Sequence, residues 1–135
     1  MVNQQFTFAV HIMAALAFSG GIIDSQTLAQ SVNTNPVVVR RLLLALRRAG
    51  LVETFSGKYG GARLRKLAGA ISLRDIYDAV EPRPVIAVSQ RKAWRHCPVS
   101  CRMHAIMTSV AESAEDAMRA HLADVTLKKL VRQIG

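Results

Sequence analysis

Apolar residues recur at helical spacing through most of this chain, and the places where that spacing breaks divide it into elements. Phe6, Ala9, Val10, Met13, Leu16 and Ala17 share one face, which predicts a first helix from about Gln4 to Phe18 that stops at Gly20-Gly21. A short second helix through Leu28, Ala29 and Val32 follows, capped by Asp24 or Ser25 and ended by Asn33-Thr34-Asn35. Asn35 as N-cap and Pro36 at the first helical position start a third helix. Its apolar face is Val39, Leu42, Leu43 and Leu46, and Gly50 suits a left-handed C-terminal stop. The opposite face carries Val37, Arg40, Arg41, Leu44, Arg47 and Arg48, where Leu44 is the exception.

The pattern then changes period. Leu51 to Phe55 and Ala62 to Leu67 read as two short strands joined by the glycine-rich turn Ser56 to Gly61. Ser72 with Asp75 three residues on resembles a capping box, and Leu73, Ile76, Tyr77 and Val80 give a fourth helix that stops before Pro82 and Pro84. A connection to His96 follows. From Pro98, the positions Val99, Met103, Ile106, Met107, Val110, Ala114, Met118 and Leu122 form a stripe along a helix of about seven turns. Asp124 or Thr126 restarts a last short helix through Leu127, Leu130, Val131 and Ile134. The fold class is therefore mainly α with a small β-wing. The expected partition is 1-81 as a winged helix-turn-helix domain, 82-97 as linker and sensor loop, and 98-135 as a dimerisation helix with a C-terminal helix.

Charge sharpens this picture because it is sorted by region. The net charge is +9, and residues 40 to 66 hold eight basic residues against one acid, Glu53, so +7 of the +9 lies on the third helix and the wing. Residues 91 to 102 add four basic residues and no acid. Such clustering suits phosphate contacts and favours nucleic acid over a membrane surface. No apolar run approaches the roughly 20 residues that span a bilayer, and Met1 leads into polar residues without a basic leader, so a cytoplasmic protein is expected. With 5% aromatic residues, the chain suits helix-on-helix packing.

Leu28-Ala29, Pro36, Val39, Arg40, Leu43, Leu46, Ala49-Gly50-Leu51-Val52, Gly57, Gly60-Gly61, Arg63-Leu64 and Ile71-Ser72-Leu73 with Ile76, Ala79, Val80 and Glu81 together resemble the Rrf-type family of bacterial winged helix-turn-helix regulators. The resemblance covers nearly the whole chain. It implies a homodimer on a palindromic operator in double-stranded DNA, paired through the long helix, and a repressor rather than an enzyme. By position it carries DNA contact to Val37, Val38, Arg40 and Arg41 on the third helix and to Lys58, Tyr59 and Arg63 on the wing, with Gly57, Gly60 and Gly61 forming the wing turn. Three positions depart from the family's pattern. Val37 and Val38 stand where polar or aromatic residues are common, and Ser56 stands where a wing arginine often appears. Valine touches a thymine methyl but donates no hydrogen bond.

Cluster-binding relatives place three cysteines before the long helix, whereas this chain has Cys97 and Cys101 alone, and Phe8 where some relatives supply a carboxylate. The expected cofactor is therefore none. An iron-sulfur cluster on Cys97, Cys101 and His104 is the lesser alternative, because such sites prefer thiolates, and a zinc site lacks a second ligand pair. Cys97 precedes Pro98 at a helix N-terminus among Arg95, His96 and Arg102, surroundings suited to a reactive thiol. It is the redox-sensor candidate, with Cys101 read as a small apolar residue packed at the start of the long helix. His11 is expected to be a hydrogen-bonded scaffold residue. A basic RNA-binding module shares the electrostatics without requiring a two-fold dimer.

Overall fold

The computed structural model describes residues 4-81 and 83-135; Pro82, the expected start of the linker, lies outside them. The chain divides into two units, Met1–Pro82 with Leu122–Gly135, and Arg83–His121.

In the first unit, helix α1 spans Gln5–Ser19 and ends as Gly20 turns left-handed, with φ of 71°. Ala9, Ile12, Met13 and Leu16 face the core, each at most 1% exposed. Helix α2, Ser25–Val32, is capped by Asp24, which accepts the Thr27 backbone N–H. It ends where Asn33 takes a φ of 65°, a conformation asparagine tolerates better than most residues. Helix α3, Pro36–Arg48, starts on Asn35, whose side-chain oxygen accepts the Val37 N–H at 2.8 Å.

The end of α3 explains how helix becomes wing. Gly50 takes a φ of 77°, its N–H donates to the Arg47 carbonyl at 2.9 Å, and the Leu51 N–H donates to the Leu46 carbonyl at 3.0 Å. This pair of bonds is a Schellman motif. It satisfies carbonyls that the helix end would leave bare. Because Leu51 is spent on that cap, strand β1 begins one residue later and spans Val52–Phe55. Strand β2, Gly61–Leu64, pairs with it antiparallel, with Val52 opposite Leu64 and Phe55 opposite Gly61. β2 is shorter than the sequence pattern suggests. The Arg65 N–H turns back to the Leu51 carbonyl at 3.0 Å, and a 3-10 turn follows at Ala68–Ala70.

A third segment that the pattern did not reveal joins this ribbon. Ile23 and Ala62 exchange both backbone bonds, at 3.0 and 2.9 Å, so the wing is tied to the connection between α1 and α2. Ala62 is fully buried there. Helix α4, Leu73–Val80, carries the complete capping box: the Ser72 hydroxyl accepts the Asp75 N–H while the Asp75 carboxylate accepts the Ser72 N–H.

The last helix, α6 (Leu127–Arg132), also belongs to the first unit. The expected grouping with the long helix gives way to packing. Leu127 is fully buried in the core, its N–H donates to the Ile71 carbonyl at 2.8 Å, and the Leu73 N–H donates to the Val125 carbonyl at 2.8 Å.

The second unit holds most of the long helix α5, Pro98–Ala123, and the segment before it. None of the described residues of α5 is buried, and Val99, Met103, Ile106 and Val110 are 42 to 63% exposed. The Val85 N–H donates to the Glu115 carboxylate at 3.3 Å, and the His104 ring is 3.0 Å from the Ser89 carbonyl, so the connection is held along the helix at two points.

Candidate nucleic-acid interface

The outer face of α3 is positioned by the burial of its inner face. Val39, Leu42, Leu43 and Leu46 are all at most 5% exposed, and the 3.6-residue period turns Arg40, Arg41, Leu44, Arg47 and Arg48 outward. Val37 is 53% exposed. Val38 is half-buried against the core, so of the two valines the sequence offered for base contact, Val37 is the outward one.

The wing's backbone is shaped by glycines that no other residue could replace without movement. A Cβ on Gly60 would fall 2.3 Å from the Phe55 carbonyl oxygen. One on Gly61, where φ is 152°, would fall 2.3 Å from the Ile23 carbonyl oxygen. Gly57 has a φ of 93°. The tip therefore presents Lys58 and Tyr59, the latter 86% exposed, with the Lys58 ammonium 5.6 Å from the centre of the Tyr59 ring. Arg63 is exposed but engaged. Its Nε and Nη2 both lie 3.0 Å from Glu53 Oε2, and its guanidinium sits 5.1 Å from the Phe55 ring centre. An exposed pair of this kind adds little stability and releases readily.

Between α3 and the wing runs an open cleft of about 350 Å³ lined by Asp24, Arg40, Arg47, Leu44, Phe55 and the turn glycines. The Thr27 backbone N–H, donating to Asp24 at 2.8 Å, and the Thr27 hydroxyl, at 2.9 Å, hold the Asp24 carboxyl below its ordinary value of 3.8. The one acid in the cleft is thus committed to capping α2. Sequence reasoning assigned Arg40 to DNA contact but missed Arg47, Leu44 and Phe55 as lining of one cleft. Leu44's place among arginines was the available signal.

All eight basic residues from Arg40 to Lys66 are exposed. A family model described as Rrf2, an iron-dependent transcriptional regulator, matches residues 2–133. YwnA of Bacillus subtilis (strain 168), provisionally named an HTH-type transcriptional regulator, is 31% identical over 134 residues, covering 99% of each chain.

The chain belongs to the Rrf2 family.

Among solved structures, this Rrf2 protein is similar to a protein of Lactobacillus plantarum provisionally described as a transcriptional regulator, at 26% identity and a TM-score of 0.82, covering 97% of this chain and 89% of that one. It is also similar to CymR of Bacillus subtilis, described as the global cysteine regulator, at 25% identity and a TM-score of 0.70, covering 98% and 97%. The fold is the winged-helix fold of these DNA-binding regulators, and this Rrf2 protein is a DNA-binding transcriptional regulator. No helix among the described residues is long and apolar enough to cross a membrane.

The description of the family as iron-dependent poses a test for the thiols of this Rrf2 protein. Cys97 is half-buried, and its carbonyl accepts the Cys101 N–H at 3.0 Å as the first turn of α5 forms. Cys101 is exposed, which corrects the expectation that it packs as an apolar residue; the first turns of α5 bury no described side chain. Its Sγ lies 3.6 Å from the carbonyl oxygens of both Trp94 and Arg95. Trp94, 65% exposed, donates its backbone N–H to the Ser100 hydroxyl at 2.8 Å and meets His96 edge to face. Where the His104 Nδ1 donates to the Ser89 carbonyl, Nε2 is left as the ring's acceptor. Among the described residues no three histidine, cysteine or acidic groups converge on a point that could hold a metal. The chain carries two thiols, Cys97 and Cys101, whereas an iron-sulfur cluster prefers thiolate at each of its ligand positions. His11 finds a scaffold partner: its Nε2 is 2.9 Å from the Ser31 hydroxyl, linking α1 to α2.

Proposed function

We propose that this protein is a homodimeric, cluster-free repressor that grips a palindromic operator through α3 and the β1–β2 wing and releases it when Cys97 is oxidised. The observation that carries the DNA reading is the pairing of a buried apolar face on α3 with an outer face that presents Arg40, Arg41, Arg47 and Arg48 beside a basic wing. A helix so oriented suits the major groove, with Val37, Arg40 and Arg41 toward bases and phosphates and the Lys58-Tyr59 tip toward the adjacent minor groove. Valine at position 37 reads a thymine methyl and no hydrogen-bonding edge, so sequence choice leans on DNA shape and on the wing.

The dimer reading rests on α5. A 26-residue helix with no buried described residue and an apolar stripe needs a partner to cover that stripe. A second copy meets that need and sets two half-sites about 34 Å apart, or a multiple of that spacing.

Control is assigned to Cys97 because of its setting: half-buried at the base of α5, with Arg95 two residues before it and Arg102 five after it in the chain, and the exposed Cys101 four residues on. With peroxide as oxidant, the Cys97 sulfur takes one oxygen to become a sulfenic acid and water leaves. Attack by the Cys101 sulfur then expels a second water and closes a disulfide. Support comes from CymR of Staphylococcus aureus, a structural neighbour that is described in an oxidised form.

The test starts with anaerobic purification, visible absorbance and metal analysis. Binding is then measured to a duplex selected from a random pool, and to structured RNA at the same salt, with and without peroxide. The expected result is colourless protein, preference for a palindromic duplex, and release by peroxide in wild type but not in Cys97→Ser. Visible colour with stoichiometric iron would instead restore the cluster. Peroxide-insensitive binding by wild type would remove Cys97 from control.

A further inference from the structure

The cleft between α3 and the wing combines a cationic and an apolar lining. Arg40 and Arg47 line it as exposed cations, while Leu44, 42% exposed, and Phe55, 40% exposed, line it with hydrocarbon. Leu44 is the apolar residue in the otherwise basic row that continues through Arg47 and Arg48, and it lies outside the buried core. Phe55 is held in place from the wing side. The Arg63 guanidinium lies 5.1 Å from its ring centre, and the turn folds back so closely that its carbonyl oxygen leaves no room for a Cβ on Gly60. Asp24 also lines the cleft, but its carboxylate oxygens are taken by the Thr27 N–H and hydroxyl.

A sugar-phosphate strand has the same alternation, with anionic oxygens at each phosphate and a C–H face on each deoxyribose. We infer that Leu44 and Phe55 form an apolar seat for the deoxyribose of the strand that passes between α3 and the wing, with Arg40 and Arg47 holding the flanking phosphates. The inference rests on the reading of α3 and the wing as the DNA-binding surface. It adds a discrimination that base contacts do not supply. A deoxyribose can lose water against Leu44 and Phe55 without stranding a polar group, whereas a ribose 2′-hydroxyl pressed onto the same surface would lose its water and find no partner. The seat therefore selects DNA over RNA, at a point where no base is read.

Phosphate interactions and apolar burial leave different marks on binding. Removing a cation from a phosphate lowers both the affinity and its salt dependence, whereas removing an apolar side chain from the deoxyribose lowers affinity alone. The experiment uses the full chain and a duplex selected from a random pool by the wild-type protein. Dissociation constants are measured over a salt series for wild type, Leu44→Ser, Leu44→Met and Arg40→Ala, and again with single ribonucleotides placed at successive backbone steps.

Leu44→Ser is expected to weaken binding about tenfold at unchanged salt slope and unchanged melting temperature, the scale of one partly buried leucine. Leu44→Met should recover most of that loss. A ribonucleotide at one step in each half-site should weaken wild type several-fold and Leu44→Ser little. Wild-type affinity in Leu44→Ser, a lowered salt slope in that variant, or a ribonucleotide penalty that Leu44→Ser leaves intact would each overturn the seat. If Arg40→Ala lowers the slope while Leu44→Ser is silent, the seat alone fails. If neither has any effect, the assignment of α3 to DNA fails with it.

Discussion

Helices α3 and α5 are both amphipathic, yet α3 buries its apolar face within its own chain and α5 does not. Val39 and Leu46 of α3 are fully buried, while Val99 and Ile106 of α5 remain 63% and 51% exposed. An apolar stripe states that a helix has a face to cover; it does not state what covers it. For α3 the cover is the core of the first unit, and the helix is thereby fixed as a rigid support for its outer arginines. For α5 the proposed cover is a second copy, and under that proposal the two helices divide the work of reading DNA and of spacing two readers.

The comparison breaks most sharply at α5. Ile106→Asp, a charge placed in the exposed stripe, should yield a monomer by sedimentation equilibrium and weaken operator binding about 100-fold or more, because two half-sites no longer bind as one. A dimer that persists with normal affinity would show that the stripe is covered by something other than its own copy. Next in size is Leu127→Ala, which probes the end of the chain that returns to the first unit. Removing a fully buried leucine should cost about 2–5 kcal/mol of stability in urea titrations. A cost under about 1 kcal/mol would mean that α6 does not belong to that core.

Arg40→Ala tests the outer face of α3. It should lower affinity and reduce the slope of log affinity against log salt by about 0.9, the share of a single neutralised phosphate. Dimerisation should be untouched, and an unchanged slope would remove Arg40 from the DNA-facing surface.

The smallest effect is at Asp24. Its carboxyl is held below 3.8 chiefly by the Thr27 backbone N–H, so its charged form stabilises the fold above the unfolded value, and that contribution is lost as pH falls through the lower folded value. The stability difference between wild type and Asp24→Asn, which keeps a capping oxygen, should therefore shrink as pH falls through 3.8 and below. A difference that is constant with pH would mean that the ionised carboxylate adds nothing beyond the cap.

Much of this molecule was legible in local pattern because its signals are local. Asn35 and Pro36 start α3, Gly50 ends it, and Ser72 with Asp75 caps α4, each through bonds between residues at most five apart. The basic row on α3 was legible for the same reason, since a fixed helical period turns a series of arginines into a face. What was not legible depends on distant partners. Nothing near Gly61 in the chain announces that Ile23 passes 2.3 Å from where its Cβ would be, and nothing in Leu44 or Phe55 announces that they share a cleft with Arg40 and Arg47. The apolar character of Cys101 suggested burial, but it lies on a helix that finds no cover within its own unit.

By itself the sequence determined the helices, their caps, the wing and the concentration of positive charge on one helix and one hairpin, because backbone hydrogen bonding and side-chain periodicity act over a few residues. Only the tertiary structure decided that α6 returns to the first unit, that the wing is tied to Ile23, that Val37 rather than Val38 faces outward, and that Leu44 and Phe55 line one cleft with Arg40 and Arg47. Those outcomes depend on which surfaces exclude water together, and that is settled by residues far apart in the chain.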